Sequence, residues 1–146
     1  MKYSVYTDGS AMREGSSAIA GIICTENRFI NSFKKEVKCE NSYEAEVMAI
    51  YEALTYVAKL DDVDEVSIFT DNQRCVFVLK KLIESGELSS TNVYWKKIKE
   101  LLSGIQLSVK HIKAHQVGHN MNKTCDMLAR LVQTRAEGEG DKCTTQ

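Results

Sequence analysis

Two aspartates occupy the same place in two similar stretches of the chain. Asp8 follows Val5–Thr7 and Asp71 follows Ile68–Thr70, so each comes directly after an apolar strand pattern that ends in threonine. A single aspartate there is usually a turn residue. If the two strands are parallel neighbours, however, both carboxylates emerge at the edge of the sheet where open α/β sheets bind ligands. The two charges would then repel, and a divalent cation would keep both ionised. Oxygen donors favour Mg²⁺ or Mn²⁺ over zinc.

Two further acidic residues lie near predicted helix starts, beside apolar faces. Glu46 falls in the first turns of a long helical pattern, and Asp126 falls near the start of the last one. A favourable interaction with the helix dipole would account for either residue. Their apolar neighbours indicate partial burial, which is unusual for a merely solvated carboxylate. Both residues are therefore candidates for a role beyond the helix dipole.

The apolar periodicity predicts an α/β domain that would position these residues. Asn41 is the predicted N-cap of the first helix, with Glu44 completing a capping box, and a turn at Asp8–Ser10 is expected to end the first strand. Three consecutive strands followed by strands alternating with helices predict a mixed sheet, antiparallel at one side, with helices on both faces. The predicted strands are 2–7, 18–25, 29–37, 65–70 and 107–112, and the predicted helices are 42–60, 73–83, 93–102 and 123–136.

Composition fits one soluble domain. The chain has 146 residues, 43% of them hydrophobic, and we expect a single domain over residues 1–137 with a frayed tail over 138–146. Five cysteines without a C-x-x-C pair indicate free thiols in a reducing compartment, so a cytoplasmic location is expected. No apolar run approaches the ~20 residues that span a bilayer. The formal net charge of −1 means that any site for a polyanion must be local.

Four motifs, in this order, resemble type 1 ribonuclease H. They are Tyr6–Ser10, Glu44–Ala49, Phe69–Gln73 and the stretch from Lys113 to Asp126. The resemblance runs from about residue 2 to residue 136 and is to the handle-less form, because the chain between Asp71 and His115 lacks the basic handle of some bacterial members. It implies a five-stranded mixed sheet with the first three strands antiparallel. It also implies a sequence-independent endonuclease that cuts the RNA strand of RNA/DNA hybrids and leaves 5′-phosphate and 3′-hydroxyl ends.

The resemblance also assigns roles to individual residues. Asp8, Glu46, Asp71 and Asp126 match the family's carboxylates, which hold two Mg²⁺ ions and for which Mn²⁺ is a substitute. His115 matches a loop histidine that assists proton transfer or product release. The positions that match or adjoin the family's substrate contacts are Gly9, Ser10, Asn41, Gln73 and Asn122, of which Asn122 is equally well explained as a helix N-cap.

The chain departs from the family pattern at two positions. Glu14 stands where an asparagine that contacts the substrate is expected, and Tyr43 replaces another such asparagine. The contacts with the minor groove of the hybrid are therefore expected to differ from those of the family.

Other interpretations stay open at the level of sequence. His111, His115 and His119 recur every four residues and, with Cys125, would suit zinc on a helical face, although the strand pattern up to Ile112 argues against a helix there. The chain would alternatively be a catalytically weak nucleic-acid-binding module, or a nuclease of the same fold acting on another nucleic acid, such as a DNA exonuclease or a junction resolvase. The four carboxylates and the histidine loop favour ribonuclease H. No obligate protein partner is evident, so a monomer is expected.

Overall fold

The computed structural model describes residues 1–11, 16–25 and 28–112. This part of the chain forms five strands and three helices in the predicted order. The sheet has the strand order β3-β2-β1-β4-β5, antiparallel between β1, β2 and β3 and parallel between β1, β4 and β5, which confirms the expected mixed sheet. The elements are β1 (Lys2–Ala11), β2 (Ser16–Thr25), β3 (Arg28–Lys38), α1 (Ser42–Val57), β4 (Glu65–Thr70), α2 (Gln73–Ser85), α3 (Val93–Leu101) and β5 (Gln106–His111).

The predicted turn at Asp8–Ser10 is wrong. Strand β1 continues to Ala11 and pairs with β2 from Ser4 to its end, including Asp8 with Ala20 and Ser10 with Ala18. The local sequence favours a turn, but a complete strand is available beside it, and backbone pairing with that strand satisfies the N–H and C=O groups of β1. Asp8 therefore lies within a paired strand rather than on a loop.

The three helices pack against one face of the sheet. Alternate strand residues such as Val5 and Ile68 form one buried cluster with Ile50 of α1, Leu79 of α2 and Trp95 of α3. The expected cover of the other face depends on the predicted last helix, which, like the predicted tail over 138–146, lies outside the described residues. No helix in the described part of the chain is long and apolar enough to cross a membrane.

Asparagine side chains begin all three helices. The Oδ1 atom of Asn41 accepts a hydrogen bond from the N–H of Glu44 at 2.9 Å, as predicted. The Glu44 carboxylate accepts from the N–H of Glu40 rather than from that of Asn41, so the reciprocal half of the capping box is shifted by one residue. Asn72 caps α2 and Asn92 caps α3 in the same manner. Because the Asn72 cap directly follows Asp71, it fixes the chain direction beside that carboxylate.

Candidate active site

Three of the four predicted carboxylates meet at one edge of the sheet. Asp8, Glu46 and Asp71 each offer an oxygen atom, and these atoms all lie within 4.8 Å of one another. The parallel pairing of β1 with β4, which places Tyr6 opposite Phe69, brings Asp8 beside Asp71. Glu46 reaches them from α1. We call these three residues the carboxylate cluster; its side chains come from β1, from α1 and from the residue directly after β4, which are far apart along the chain.

Gly9 allows α1 to approach β1 closely enough to complete the carboxylate cluster. A Cβ atom at Gly9 would lie 2.5 Å from the carbonyl carbon of Ala45 and 2.7 Å from the backbone nitrogen of Glu46, distances that only glycine permits. The backbone N–H of Gly9 donates a hydrogen bond of 3.1 Å to Oε1 of Glu46. Sequence reasoning identified Gly9 as a residue adjoining the substrate, but it did not indicate this contact.

The carboxylate cluster is electrostatically crowded. Glu46 is only 6% exposed. Its burial, the charges of Asp71 and Asp8 and a hydrogen bond with Asp71 raise the pKa of Glu46 to about 10, against the opposing effect of the Gly9 N–H. A divalent cation would offset this repulsion, and a donor set made only of carboxylate oxygens suits Mg²⁺ or Mn²⁺. The residues present therefore fit the metal that the sequence indicates.

Cys75 lies fully buried near the carboxylate cluster. Burial, together with the charges of Glu46 and Asp71, raises the pKa of the Cys75 thiol, although Arg74 opposes this effect. A neutral, buried thiol packs as a small apolar group and is a poor metal ligand. Cys24, Cys39 and Cys75 are all free thiols, as predicted for the cysteines that lie in the described part of the chain.

His111, one of the candidate zinc ligands, lies at the end of β5. Its Nε2 atom is 3.2 Å from the backbone carbonyl oxygen of Asp71, which accepts a hydrogen bond from it. This side-chain contact holds the backbone of Asp71 directly after the last paired residues of the two strands, Thr70 and His111. Because His111 belongs to a strand, its spacing of four residues from the next histidine does not place the two on one helical face.

The remaining predicted site residues divide into two groups. Ser10 and Gln73 are exposed, each two residues after an aspartate of the carboxylate cluster, and Asn41 is exposed with its side chain engaged in the cap of α1. His115, Asn122 and Asp126, together with Glu14, His119 and Cys125, lie outside the described residues.

A cleft of about 600 Å³ begins next to the carboxylate cluster. Tyr43 precedes Glu46 by one turn of α1, and Gln73, the first residue of α2, follows Asp71 by two residues, so the cleft adjoins two members of the cluster. The ring of Tyr43 lies under the Arg74 guanidinium, whose central carbon is 3.8 Å from the ring centroid. We call this cleft the Arg74 cleft; its lining residues are Tyr43, Gln73, Arg74, Phe77, Val78, Ser89, Ser90 and Thr91.

Comparisons with known proteins place this geometry in context. A protein-family model described as RNase H matches residues 1–133. The structure of RNase H1 from the halophilic archaeon Halobacterium salinarum NRC-1 is similar, with a TM-score of 0.68 at 19% identity, covering 93% of this chain and all of that one. The N-terminal RNase H domain of a Mycobacterium tuberculosis protein, solved as a fusion with maltose-binding protein, gives a TM-score of 0.68 at 16% identity, covering 96% of this chain and 99% of that one. No curated protein matches the chain. At these identities the structural similarity establishes a shared fold.

Proposed function

The chain belongs to the RNase H family, and we propose that it is a metal-dependent endonuclease that hydrolyses the RNA strand of RNA/DNA hybrids. We expect cleavage to be largely independent of sequence and to leave 5′-phosphate and 3′-hydroxyl ends. The observation that carries the proposal is the convergence of Asp8, Glu46 and Asp71 into a group that is crowded with negative charge and partly buried. Such a group is stable with all three side chains ionised only when a cation offsets their repulsion.

Asp8, Glu46 and Asp71 would hold two Mg²⁺ ions together with Asp126, and Mn²⁺ would substitute. When bound, the two ions supply charge stabilisation for in-line displacement at a phosphodiester. The chain's own contribution is to fix the donor atoms. The Gly9 N–H orients the Glu46 carboxylate, and the His111 side chain holds the backbone of Asp71. Asp8 is held by the pairing of β1 with β2, in which it lies opposite Ala20.

His115 is assigned the proton-transfer role in this proposal. A histidine of ordinary pKa exchanges protons near neutral pH, which suits protonation of the leaving group or help with product release. Substrate contacts are assigned to Gly9, Ser10, Asn41, Gln73 and Asn122. Of these, Ser10 and Gln73 are exposed next to the carboxylate cluster, where they would meet the minor groove of the hybrid. The ribose 2′-hydroxyls in that groove distinguish RNA from DNA.

The proposal is tested with a hybrid labelled on its RNA strand, incubated with wild type or Asp8→Asn, with and without Mg²⁺. Wild type is expected to cut the RNA only when Mg²⁺ is present, and Asp8→Asn to lower the rate by at least about 100-fold, because the variant loses a metal-binding charge. Asp61→Asn is the matched control, since Asp61 is exposed beyond the far end of α1, and it is expected to cut like wild type.

Three results would contradict the proposal. A hybrid that is bound but left intact would indicate a binding module, and cutting of duplex DNA in preference to the hybrid would indicate a different nuclease. Equal cutting by wild type and Asp8→Asn would remove the carboxylate cluster from the reaction.

A further inference from the structure

Three side chains from three helices form a connected unit beside the carboxylate cluster. Trp95 of α3 is fully buried, and its Nε1–H donates a hydrogen bond of 2.8 Å to the hydroxyl of Tyr43. The Tyr43 ring in turn lies 3.8 Å under the guanidinium of Arg74. A buried indole thus fixes a half-buried phenol, and the phenol supports an exposed cation. Arg74 is therefore held by a platform that is anchored in the core.

Stacking uses the face of a guanidinium and leaves its N–H donors, which lie in the plane, available for a ligand. Within residues 1–11, 16–25 and 28–112, no carboxylate forms an ion pair with Arg74. Among the described residues that line the Arg74 cleft, Arg74 alone carries a formal charge. The cleft is therefore suited to an anion.

The other lining residues narrow the chemical class of that anion. Three residues with hydroxyl groups, Ser89, Ser90 and Thr91, line the cleft, and the Ser90 hydroxyl also accepts a hydrogen bond from the N–H of Asn92. Phe77 lines the cleft as well and is 57% exposed. A guanidinium, hydroxyl groups and an exposed aromatic ring together are typical of surfaces that hold a nucleic-acid strand by its phosphates and its sugars or bases.

We propose that Arg74 binds a backbone phosphate of the nucleic acid near the cut, and that Tyr43 and Trp95 position it for that contact. The inference rests on the proposed function and names residues of this chain that recognise the substrate. It also explains Tyr43, which replaces a polar residue of the family pattern. Its ring serves as the platform for a cation, so a contact between an asparagine and the substrate is exchanged for a contact between an arginine and a phosphate.

A single phosphate contact should be measurable in this protein because its charge is nearly balanced. With a formal net charge of −1, affinity for a polyanion depends on a few local contacts rather than on the overall field. Each contact with a duplex phosphate contributes about 0.9 to the slope of log affinity against log salt concentration. A residue that only stabilises the fold contributes nothing to that slope.

The test measures binding of a short fluorescein-labelled RNA/DNA hybrid by anisotropy, in the Asp8→Asn background with Mg²⁺ present. Arg74→Gln is expected to weaken binding about tenfold at about 50 mM KCl and only about threefold at about 200 mM, because the salt slope falls by about 0.9. Lys59→Gln removes the same charge beyond the far end of α1 and should change neither the affinity nor the slope by more than about 20%. With Asp8 intact, Arg74→Gln should raise KM and leave kcat near that of wild type.

Variants of Tyr43 test the platform. Tyr43→Phe keeps the ring but loses the hydrogen bond from the Trp95 indole, so its affinity for the hybrid should fall between those of wild type and Tyr43→Leu. Tyr43→Leu should weaken binding toward the level of Arg74→Gln. Adding Tyr43→Leu to Arg74→Gln should cause no further loss, because both changes remove the same contact. Far-ultraviolet circular dichroism confirms that each variant is folded before it is compared.

The inference is overturned if Arg74→Gln has the affinity and salt slope of Lys59→Gln, or if the losses from Tyr43→Leu and Arg74→Gln simply add. These outcomes are separate from failure of the proposed function. A wild-type protein that binds the hybrid without cutting it, with the Arg74 salt effect present, would refute the proposed function and leave this contact standing. A wild-type protein that cuts the hybrid, with Arg74→Gln equal to wild type in affinity and salt slope, would support the proposed function and refute this contact.

Discussion

The replacement of Glu46 by glutamine should make the metal-free protein more stable while removing its activity. Glu46 is buried beside two other carboxyl groups, and its pKa is raised to about 10 from an ordinary value of 4.5. Near neutral pH the unfolded chain ionises this group, whereas the metal-free folded state keeps it protonated. Glutamine has nearly the same shape, still accepts from the Gly9 N–H and donates to Asp71, and carries no proton that titrates.

The size of the effect follows from the pKa difference. Because the folded state holds a proton that the unfolded state releases, the stability of the wild type is greatest below about pH 4.5 and falls as pH rises toward 10. The loss is about 1.4 kcal/mol per pH unit, which amounts to about 3 kcal/mol at pH 7. Glu46→Gln avoids this loss, so its melting temperature in EDTA should exceed that of wild type by up to about 10 °C at pH 7.

Thermal unfolding followed by circular dichroism, in EDTA at several values between about pH 5 and 8, measures this difference. The advantage of Glu46→Gln over wild type should widen as the pH rises, whereas Glu100→Gln, on the exposed side of α3, should follow the wild-type curve. Addition of Mg²⁺ should stabilise wild type and leave Glu46→Gln nearly unchanged. A variant that is less stable than wild type at pH 8 in EDTA, or two parallel pH profiles, would refute the inferred repulsion within the carboxylate cluster.

Three further predictions follow from the same site. Gly9→Ala should lower the free energy of unfolding in urea by about 3 kcal/mol, because the new methyl group meets the backbone of Ala45. Gly104→Ala should cost only about 1 kcal/mol, because its Cβ meets open space and only the φ of 79° is strained; equal losses would contradict the close packing of β1 and α1. His111→Ala should raise the Mg²⁺ concentration needed for half-maximal cleavage by about tenfold in a metal titration, because the backbone of Asp71 loses its support, and an unchanged requirement would exclude a positioning role. The dissociation constant for Mg²⁺, measured by calorimetry, should fall about tenfold per pH unit between about pH 6 and 8, because binding displaces a proton from the buried Glu46. A dissociation constant that does not change with pH would show that no proton is released.

The order of the elements was predictable because burial imposes a period on each of them. Alternating apolar residues located the strands, and apolar residues three or four positions apart located the helices, since each element buries one face in a common core. The asparagine cap at Asn41 was equally visible, because the capping residue and the N–H that it accepts from lie within one turn. The repeated Thr-Asp ending then sufficed to place Asp8 and Asp71 side by side, once β1 and β4 were assumed to be parallel.

The contacts that the sequence did not reveal join residues that are remote along the chain. The hydrogen bond from Gly9 to Glu46 spans 37 residues, and the one from Trp95 to Tyr43 spans 52. A local sequence pattern cannot predict contacts between residues that are so far apart along the chain. The same reason explains the incorrect turn at Asp8–Ser10, because pairing with β2 outweighs the preference of those residues for a turn. The strand at His111 was predicted, but its partner was not: the rival zinc interpretation grouped His111 with later histidines, whereas its side chain contacts the backbone of Asp71, directly after the neighbouring strand.

The origin of the carboxylate cluster in β1, in α1 and directly after β4 links ion occupancy to protein abundance. An unfolded chain scatters these side chains, so a cation that binds all three binds only the native protein. By mass action, free Mg²⁺ at 100 times its dissociation constant would then add about 2.7 kcal/mol to the stability of the native state. A fall in the free ion concentration would therefore leave more unfolded chains open to proteolysis, and ion supply would control the amount of the protein as well as its turnover.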